Sequence, residues 1–275
     1  MSPWLEALLA GVGCGLSVWF CQRLARFPTP WWGVAYVVPL AIVICYGVFV
    51  RRPDWALFPV FSWILIGRWR YALVGMAVAG LLSTLRAKLP KPGDRRALVA
   101  LTAVTLVYVT FWPVLAAAFN QGYLRSLETQ IDHNGVCRQH TDYTCGPAAA
   151  VTALLRLHIR AEEGELALEA GTSTATGTPP DVLAAMLNRT FRQRGVVANL
   201  RRINDLDELK KCGLTLVILN YGILFDHWMC VLHVTDDAVI VGDPVSGRTR
   251  LSHAEFLRRF RRVGVVMSRT NSGRE

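Results

Sequence analysis

Residues 97–119, ALVALTAVTLVYVTFWPVLAAAF, run without one charged side chain. A bilayer hydrocarbon core takes about 20 apolar residues as helix, so this run has the length and character of a membrane span. Residues 32–50, WGVAYVVPLAIVICYGVFV, form a second uncharged run, and residues 4–20 a third that is apolar apart from Glu6. The first stretch has neither a basic start nor a small-residue cleavage site, which favours a retained span over a cleaved signal peptide. Any one of these runs alone also fits a buried core helix. Several of them in one half of the chain, where the acids are only Glu6, Asp54 and Asp94, weaken that reading.

Residues 55–85 admit two descriptions. WALFPVFSWILIG and YALVGMAVAGLLSTL flank Arg68-Trp69-Arg70, and two charges at mid-bilayer are costly. Two short spans meeting at an interfacial turn give five spans in all, and one long or re-entrant element gives four. Trp31, Trp32, Trp55, Trp69, Tyr71 and Trp112 sit near the ends of these stretches, as interfacial anchors do. The loop 86–96, RAKLPKPGDRR, carries five basic residues and one acid. The positive-inside rule places it in the cytoplasm, and span 97–119 then carries the rest of the chain to the outer, extracytoplasmic side. The chain reads as an integral protein of a bacterial inner membrane.

The formal charge of +10 is distributed accordingly. Residues 1–119 hold 11 Lys/Arg against 3 Asp/Glu, leaving 19 and 17 for residues 120–275. The basic character therefore belongs mainly to the first part, beside lipid headgroups. No nucleic-acid motif accompanies it, so nucleic acid is not an expected partner, whereas the lipid bilayer is.

From about residue 120 the pattern turns mixed and alternating. The spacing predicts helices over 146–158, 161–170 and 180–194, a strand over 196–202, and a short helix from Asp205 to Lys211. Strands follow at 214–220, 227–235, 238–242 and 248–251, with a hairpin at Asp236-Asp237. A helix capped by Ser252 with Glu255 three residues on precedes a last strand at 263–268. Helices first and an antiparallel sheet after them is an α+β order. Two domains are expected: 1–119, a transmembrane helical bundle of four or five spans, and 120–275.

The chemistry concentrates in CRQHTDYTCGPAAAVTALLRL, which starts at Cys137. Cys145 stands directly before a helix start, where backbone N–H groups and the helix dipole favour an anion. The thiolate is the nucleophilic form of cysteine. Such a nucleophile needs a base and a group to orient that base. His227 opens the strand DHWMCVLHV, and Asp243 ends its hairpin partner in VIVGDPVSG, so the hairpin brings them together. His233 is the internal rival. His140 lies close to Cys145 on a loop, while His133, His158 and His253 read as surface or loop residues, and Asp142 and Asp226 as ordinary acids. Gln139 offers a side-chain amide, and Cys145 its own N–H, to a developing oxyanion. Cys137, Cys212 and Cys230 leave room for one disulfide or none, and the absence of C-x-x-C argues against a zinc ribbon. No metal or cofactor is expected.

Gln139-x5-Cys145-Gly146-Pro147-Ala148-Ala149, then His227, then Asp243-Pro244 near Gly247, resembles the double-glycine (bacteriocin-processing) cysteine peptidase family. The stretch GELALEAGTSTATGTPPDVLAAML resembles that family's helical section, and the similarity covers about residues 131–268. It implies a papain-like fold in which Cys145 attacks a peptide carbonyl, His227 shuttles the proton, Asp243 orients His227 and Gln139 serves the oxyanion hole. Familiar members precede the spans of an exporter, work in the cytoplasm and cut after Gly-Gly in leader peptides. Here the domain follows the spans, Thr144 stands where an acid is frequent, and no G-x-x-x-x-G-K-[ST] loop occurs, so there is no ATP site. Any export partner would be a separate protein.

The expected activity is thus that of a membrane-anchored cysteine peptidase acting on peptides or protein tails near the membrane, including leader or tail processing. The alternatives are a non-catalytic peptide-binding module on a membrane anchor, and a papain-like acyl transferase or amidase. A transport role for the spans finds no paired intramembrane charges to mark an ion path.

Overall fold

The computed structural model describes residues 3–27, 31–57, 69–86, 88–222 and 225–270. It divides into two compact units, Met1–Ala118 and Phe119–Glu275. In the first, helices Pro3–Leu24, Trp31–Arg51, Trp69–Arg86 and Pro92–Leu106 are followed by a π-helical turn, Val107–Phe111, and helix Trp112–Phe119. Helix Trp69–Arg86 is the packing hub, and it is built for close approach. A Cβ at Gly80 would lie 2.8 Å from both Cys21 Sγ and Ser17 Oγ, and one at Gly75 would overlap Thr110. Ser17 Oγ donates to Met76 O at 2.7 Å. Small residues and interhelical hydroxyl bonds are the means by which helices associate where apolar burial against water offers no drive.

The outward surface agrees with that environment. Trp4, Leu8, Leu16, Trp19, Val37 and Tyr108 are all exposed, an apolar surface that lipid accepts and water does not. Among the described residues, three helical stretches are long and apolar enough to cross a membrane: Trp4–Leu24, Trp32–Arg51 and Pro92–Arg125. That is fewer than the four or five spans expected. The difference falls on residues 55–85. There, 58–68 lie outside the described residues, and Trp69–Arg86 is an 18-residue helix with Arg70 in its first turn and Arg86 in its last.

The second unit is α+β. β1 (Gln130–Ile131) and β2 (Cys137–Arg138) form a small antiparallel pair. β3 (Val196–Arg202), β4 (Thr215–Asn220), β5 (Asp226–Val234), β6 (Ala238–Asp243), β7 (Gly247–Ser252) and β8 (Phe260–Arg269) form one antiparallel sheet in the order β3-β8-β4-β5-β6-β7. The final strand thus slots between the first two, a long-range pairing that local pattern does not reveal. It starts at Phe260, three residues before the predicted 263.

Helix Cys145–Arg156 packs on one face of this sheet and is buried from Cys145 through Leu154. Its run of alanines keeps it slim, and Pro147 sits in the first turn, where no intrahelical bond is lost. The other face holds Val217, Leu219, Met229, Val231, Val239, Val241 and Leu251, closed over by Phe256 of helix His253–Arg259. That helix begins as expected, with Ser252 Oγ accepting from Glu255 N at 3.2 Å. Helix Leu206–Cys212 is capped in the same way by Asp205.

Thr152, fully buried in the central helix, takes the Cys137 N–H at 2.9 Å and donates to Ala148 O at 3.1 Å. It ties β2 to the helix through a side chain. Thr152→Val keeps the shape and strands that N–H in the interior, a loss of about 1–3 kcal/mol. The thermal midpoint of the detergent-solubilised protein should fall by a few degrees, roughly 2–8 °C.

Candidate active site

Helix Cys145–Arg156 delivers Cys145 to the start of β5. The first N–H groups of a helix have no intrahelical acceptor, and those of Cys145 and Gly146 stand at this helix start. What lets the helix come so close is Gly146. A Cβ there would lie 2.9 Å from Thr178 Cβ and 3.2 Å from Trp228 Cδ1. Trp228 in turn donates its indole N–H to Thr178 O at 3.0 Å, and the hydroxyls of Thr172 and Thr178 meet at 2.7 Å. The two Gly-Thr pairs of the sequence, 171–172 and 177–178, therefore form the seat of the helix N-terminus. Sequence reasoning did not find Trp228 or this role of Thr178; the signal present was a tryptophan directly after His227.

The structure brings Cys145, His227 and Asp243 together, exposed by only 6%, 6% and 3%. Asp243 Oδ1 lies 2.8 Å from His227 Nε2, and the Cys145 thiol hydrogen-bonds the same ring. With Nε2 committed to the carboxylate, Nδ1 is the nitrogen left for sulfur. Asp243 is itself held: Oδ1 accepts from Val245 N at 2.8 Å and Oδ2 from Ser246 Oγ at 2.5 Å. The turn that makes this possible ends at Gly247, whose φ is +84° and whose absent side chain leaves room for Asp132 and Arg138. On its open side the His227 ring meets Tyr221, centroids 5.0 Å apart, with the Arg259 guanidinium 5.1 Å over the Tyr221 ring.

Burial alone would lower the His227 pKa, but the hydrogen bonds and charges of Asp243 and Cys145 outweigh it and raise it from 6.5 to about 9. Burial would raise Asp243, yet the bonds from His227, Ser246 and Val245 hold it below the ordinary carboxylate range. The remaining cysteines of this unit differ. Burial first, then nearby acids, pushes Cys137 up to about 12, and burial pushes Cys230 to about 12 as well. All seven cysteines are free in the structure.

Gln139 is placed by its backbone, whose N–H donates to Pro244 O at 3.0 Å. Its Nε2 donates to Thr141 O at 2.7 Å, and its Oε1 is buried without a hydrogen-bond partner. An amide nitrogen carries two protons, so one N–H remains. Thr144, noted above as a departure from the resembled family, is fully buried, and its hydroxyl accepts from Thr141 N at 3.2 Å.

The other candidates go elsewhere. His233 is exposed at the far end of β5, past a register shift between Val231 and His233. Asp226 pairs with Arg261 at 2.7 Å, and His253 meets Thr235 O at 3.0 Å. An open cleft of about 800 Å³, lined by Tyr221, Met229, Asp243, Ser246, Leu251 and Arg259 among others, reaches Asp243 from the sheet face opposite the central helix. Cys145 does not line it.

The pair has a pH signature. A His raised from 6.5 to about 9 contributes stability that is fully present below 6.5 and lost as pH rises through 9. Asp243, lowered, contributes above the ordinary carboxylate range and loses its contribution as pH falls through its own depressed value. The thermal midpoint of the wild type should therefore fall between pH 7 and 10 more steeply than that of His227→Ala. Parallel curves would mean that the ring is not charged in the folded state.

Comparison with known proteins bears on the second unit. Residues 133–272 match the model of the peptidase C39 family. An uncharacterised protein of Methanothermobacter marburgensis is 31% identical over 137 residues, covering 49% of this chain and 88% of that protein. One from Methanothermobacter thermautotrophicus is 29% identical over 143 residues, 52% and 94%. Among solved structures, the peptidase domain of Streptococcus ComA, a bifunctional ABC transporter of a quorum-sensing pathway, aligns at 17% identity and a TM-score of 0.44, covering 50% of this chain and all of that one. A double-glycine protease from an AMS/PCAT transporter, in complex with a leader peptide, aligns at 16% and 0.41, covering 53% and 100%. The family match spans half of the chain, and it meets the resemblance read from the residues around Cys145, His227 and Asp243. The chain belongs to the peptidase C39 family, and its second unit is a cysteine peptidase-like domain.

Proposed function

We propose that the chain is a membrane-anchored thiol peptidase in which Cys145 is the nucleophile, His227 the proton carrier, Asp243 its orienter and Gln139 an oxyanion donor. The observation that carries this reading is the unbroken contact from Cys145 through the His227 ring to Asp243 at a buried helix N-terminus. Family membership supports a peptide as substrate.

The geometry suits acyl transfer. Sulfur, as thiolate, attacks the peptide carbonyl carbon, and the carbonyl electron pair moves onto oxygen. That oxyanion takes the Cys145 N–H and the spare Gln139 N–H. The His227 imidazolium then gives its Nδ1 proton to the departing amine as the C–N bond breaks, leaving a thioester. The neutral ring next takes a proton from water, the hydroxide adds to the thioester, and collapse releases the acid and restores the sulfur. A ring titrating near 9 holds its proton at neutral pH until the leaving amine needs it. Low exposure of all three groups excludes bulk water, which strengthens each charge interaction.

A peptidyl thiol-reactive probe should label the wild type at Cys145, and Cys145→Ala and His227→Ala should both lose that label with the other six cysteines present. Unchanged labelling in either variant would leave a papain-like peptide-binding module as the better account. Iodoacetamide at pH 6 should alkylate Cys145 well ahead of Cys212, whose thiol burial holds in its protonated form.

We further infer that the three apolar stretches anchor this domain in a membrane, on the extracytoplasmic side. The basic loop 86–96, with five cations and one acid, supports this by the positive-inside rule. Reporter fusions after residues 90 and 125 should land on opposite sides of the membrane. Placement on one side removes the last span, and a cytoplasmic second fusion reverses the orientation.

A further inference from the structure

A second buried acid stands close to this site and has no part in the steps above. Glu163, the first residue of helix Glu163–Glu169, is fully buried. Both of its carboxylate oxygens go to one residue: Oε1 accepts from His140 N at 3.1 Å, and Oε2 faces His140 Nδ1 at 3.2 Å. Its own backbone N–H is taken by Thr129 Oγ1 at 2.8 Å. A carboxylate is buried at high cost unless paired and hydrogen-bonded, so this one fixes the position of whatever it pairs with.

What it pairs with is the residue next to Gln139. Two successive backbone N–H groups are thereby tied to opposite walls: Gln139 N to Pro244 O, in the turn that carries Asp243, and His140 N to Glu163. The Gln139 side chain adds little anchoring of its own. Its one hydrogen bond is to Thr141 O in the same loop, and its oxygen is unpartnered. The direction of the Gln139 amide therefore depends on the loop backbone, and on that side the loop backbone depends on Glu163.

We propose that Glu163, through His140, is a positioning residue for the oxyanion donor Gln139, acting on acyl transfer and not on the reactivity of the Cys145–His227 pair. This rests on the peptidase reading above. Two reactions of Cys145 separate the effects. Alkylation by iodoacetamide is a displacement at carbon that needs the thiolate but no oxyanion hole. Acylation by p-nitrophenyl acetate needs both: sulfur adds to the ester carbonyl, an oxyanion forms, and p-nitrophenolate leaves as the thioester is made. Neither reagent requires a known peptide substrate.

The test is the ratio of the two rates in the full-length, detergent-solubilised protein, with Cys145→Ala as the baseline for the other cysteines. Gln139→Ala should lower acylation on the order of a hundredfold and leave alkylation unchanged. Glu163→Ala should lower the same ratio by roughly ten- to a hundredfold, the size of effect that misplacing a group by about 1 Å produces. In the Gln139→Ala background it should add nothing, because its effect runs through that side chain. Glu163→Gln keeps an oxygen for the His140 N–H and should retain most of the ratio. Glu163→Asp, which keeps the charge one methylene short, should lose it and serves if the alanine variant does not fold. Wild-type acylation in both Glu163→Ala and Glu163→Asp, an equal loss in both reactions, or full additivity with Gln139→Ala would overturn the proposal. A wild type whose Cys145 alkylates no faster than Cys212, or shows no acylation of its own, sinks the peptidase reading and this inference with it.

Discussion

The N-terminus of helix Cys145–Arg156 must sit, buried, against the start of β5, and most of the second unit is arranged to meet that demand. A helix start leaves N–H groups unpaired, and burying them is tolerable only where an anion or acceptor meets them. In the proposed reading a thiolate at Cys145 supplies the anion, and His227 the counter-charge. Backbone approach at that point requires Gly146, because Thr178 and Trp228 occupy the space a side chain would need. The same indole that fills this space is fixed by Thr178 O. The contact that brings sulfur to imidazole is therefore one of backbone against side chain, made possible by one missing methyl.

Around it most polar groups are satisfied within the fold, although Gln139 Oε1 is not. Asp243 commits its oxygens to His227, Val245 and Ser246. Thr152 joins β2 to the helix, and the Gln139 N–H joins the loop to the Asp243 turn. Thr144, fully buried, closes its end of the loop by accepting the Thr141 N–H. The three cysteines nearest the central helix diverge. Burial raises the thiols of Cys137 and Cys230, whereas Cys145 hydrogen-bonds the His227 ring.

The two units use opposite packing rules. In the first, the buried residues are small, among them Ala72, Ala77, Ala79 and Gly80, and the large apolar side chains point outward. In the second, the large side chains, including Met229, Leu219 and Phe256, are inside. The second is the arrangement water favours and the first the one a lipid surround would favour, and both can be read from composition: few acids and continuous apolar runs in one, alternation and mixed charge in the other.

The sequence by itself determined the order of elements, the antiparallel α+β class and the cap at Ser252, and it marked Gln139, Cys145, His227 and Asp243 as candidates. These are local signals, carried by period, turn chemistry and spacing within a hairpin. Only the tertiary structure decided which ring nitrogen faces Asp243, that β8 inserts between β3 and β4, that Trp228 and the two Gly-Thr pairs seat the helix of Cys145, and that Glu163 reaches the loop before Cys145. It also separated His227 from His233, six residues along one strand and alike in pattern. The physical reason is common to all of these. Each depends on contacts between segments far apart in the chain, where burial and hydrogen-bond partners are set by what the fold places opposite, and no local period encodes that.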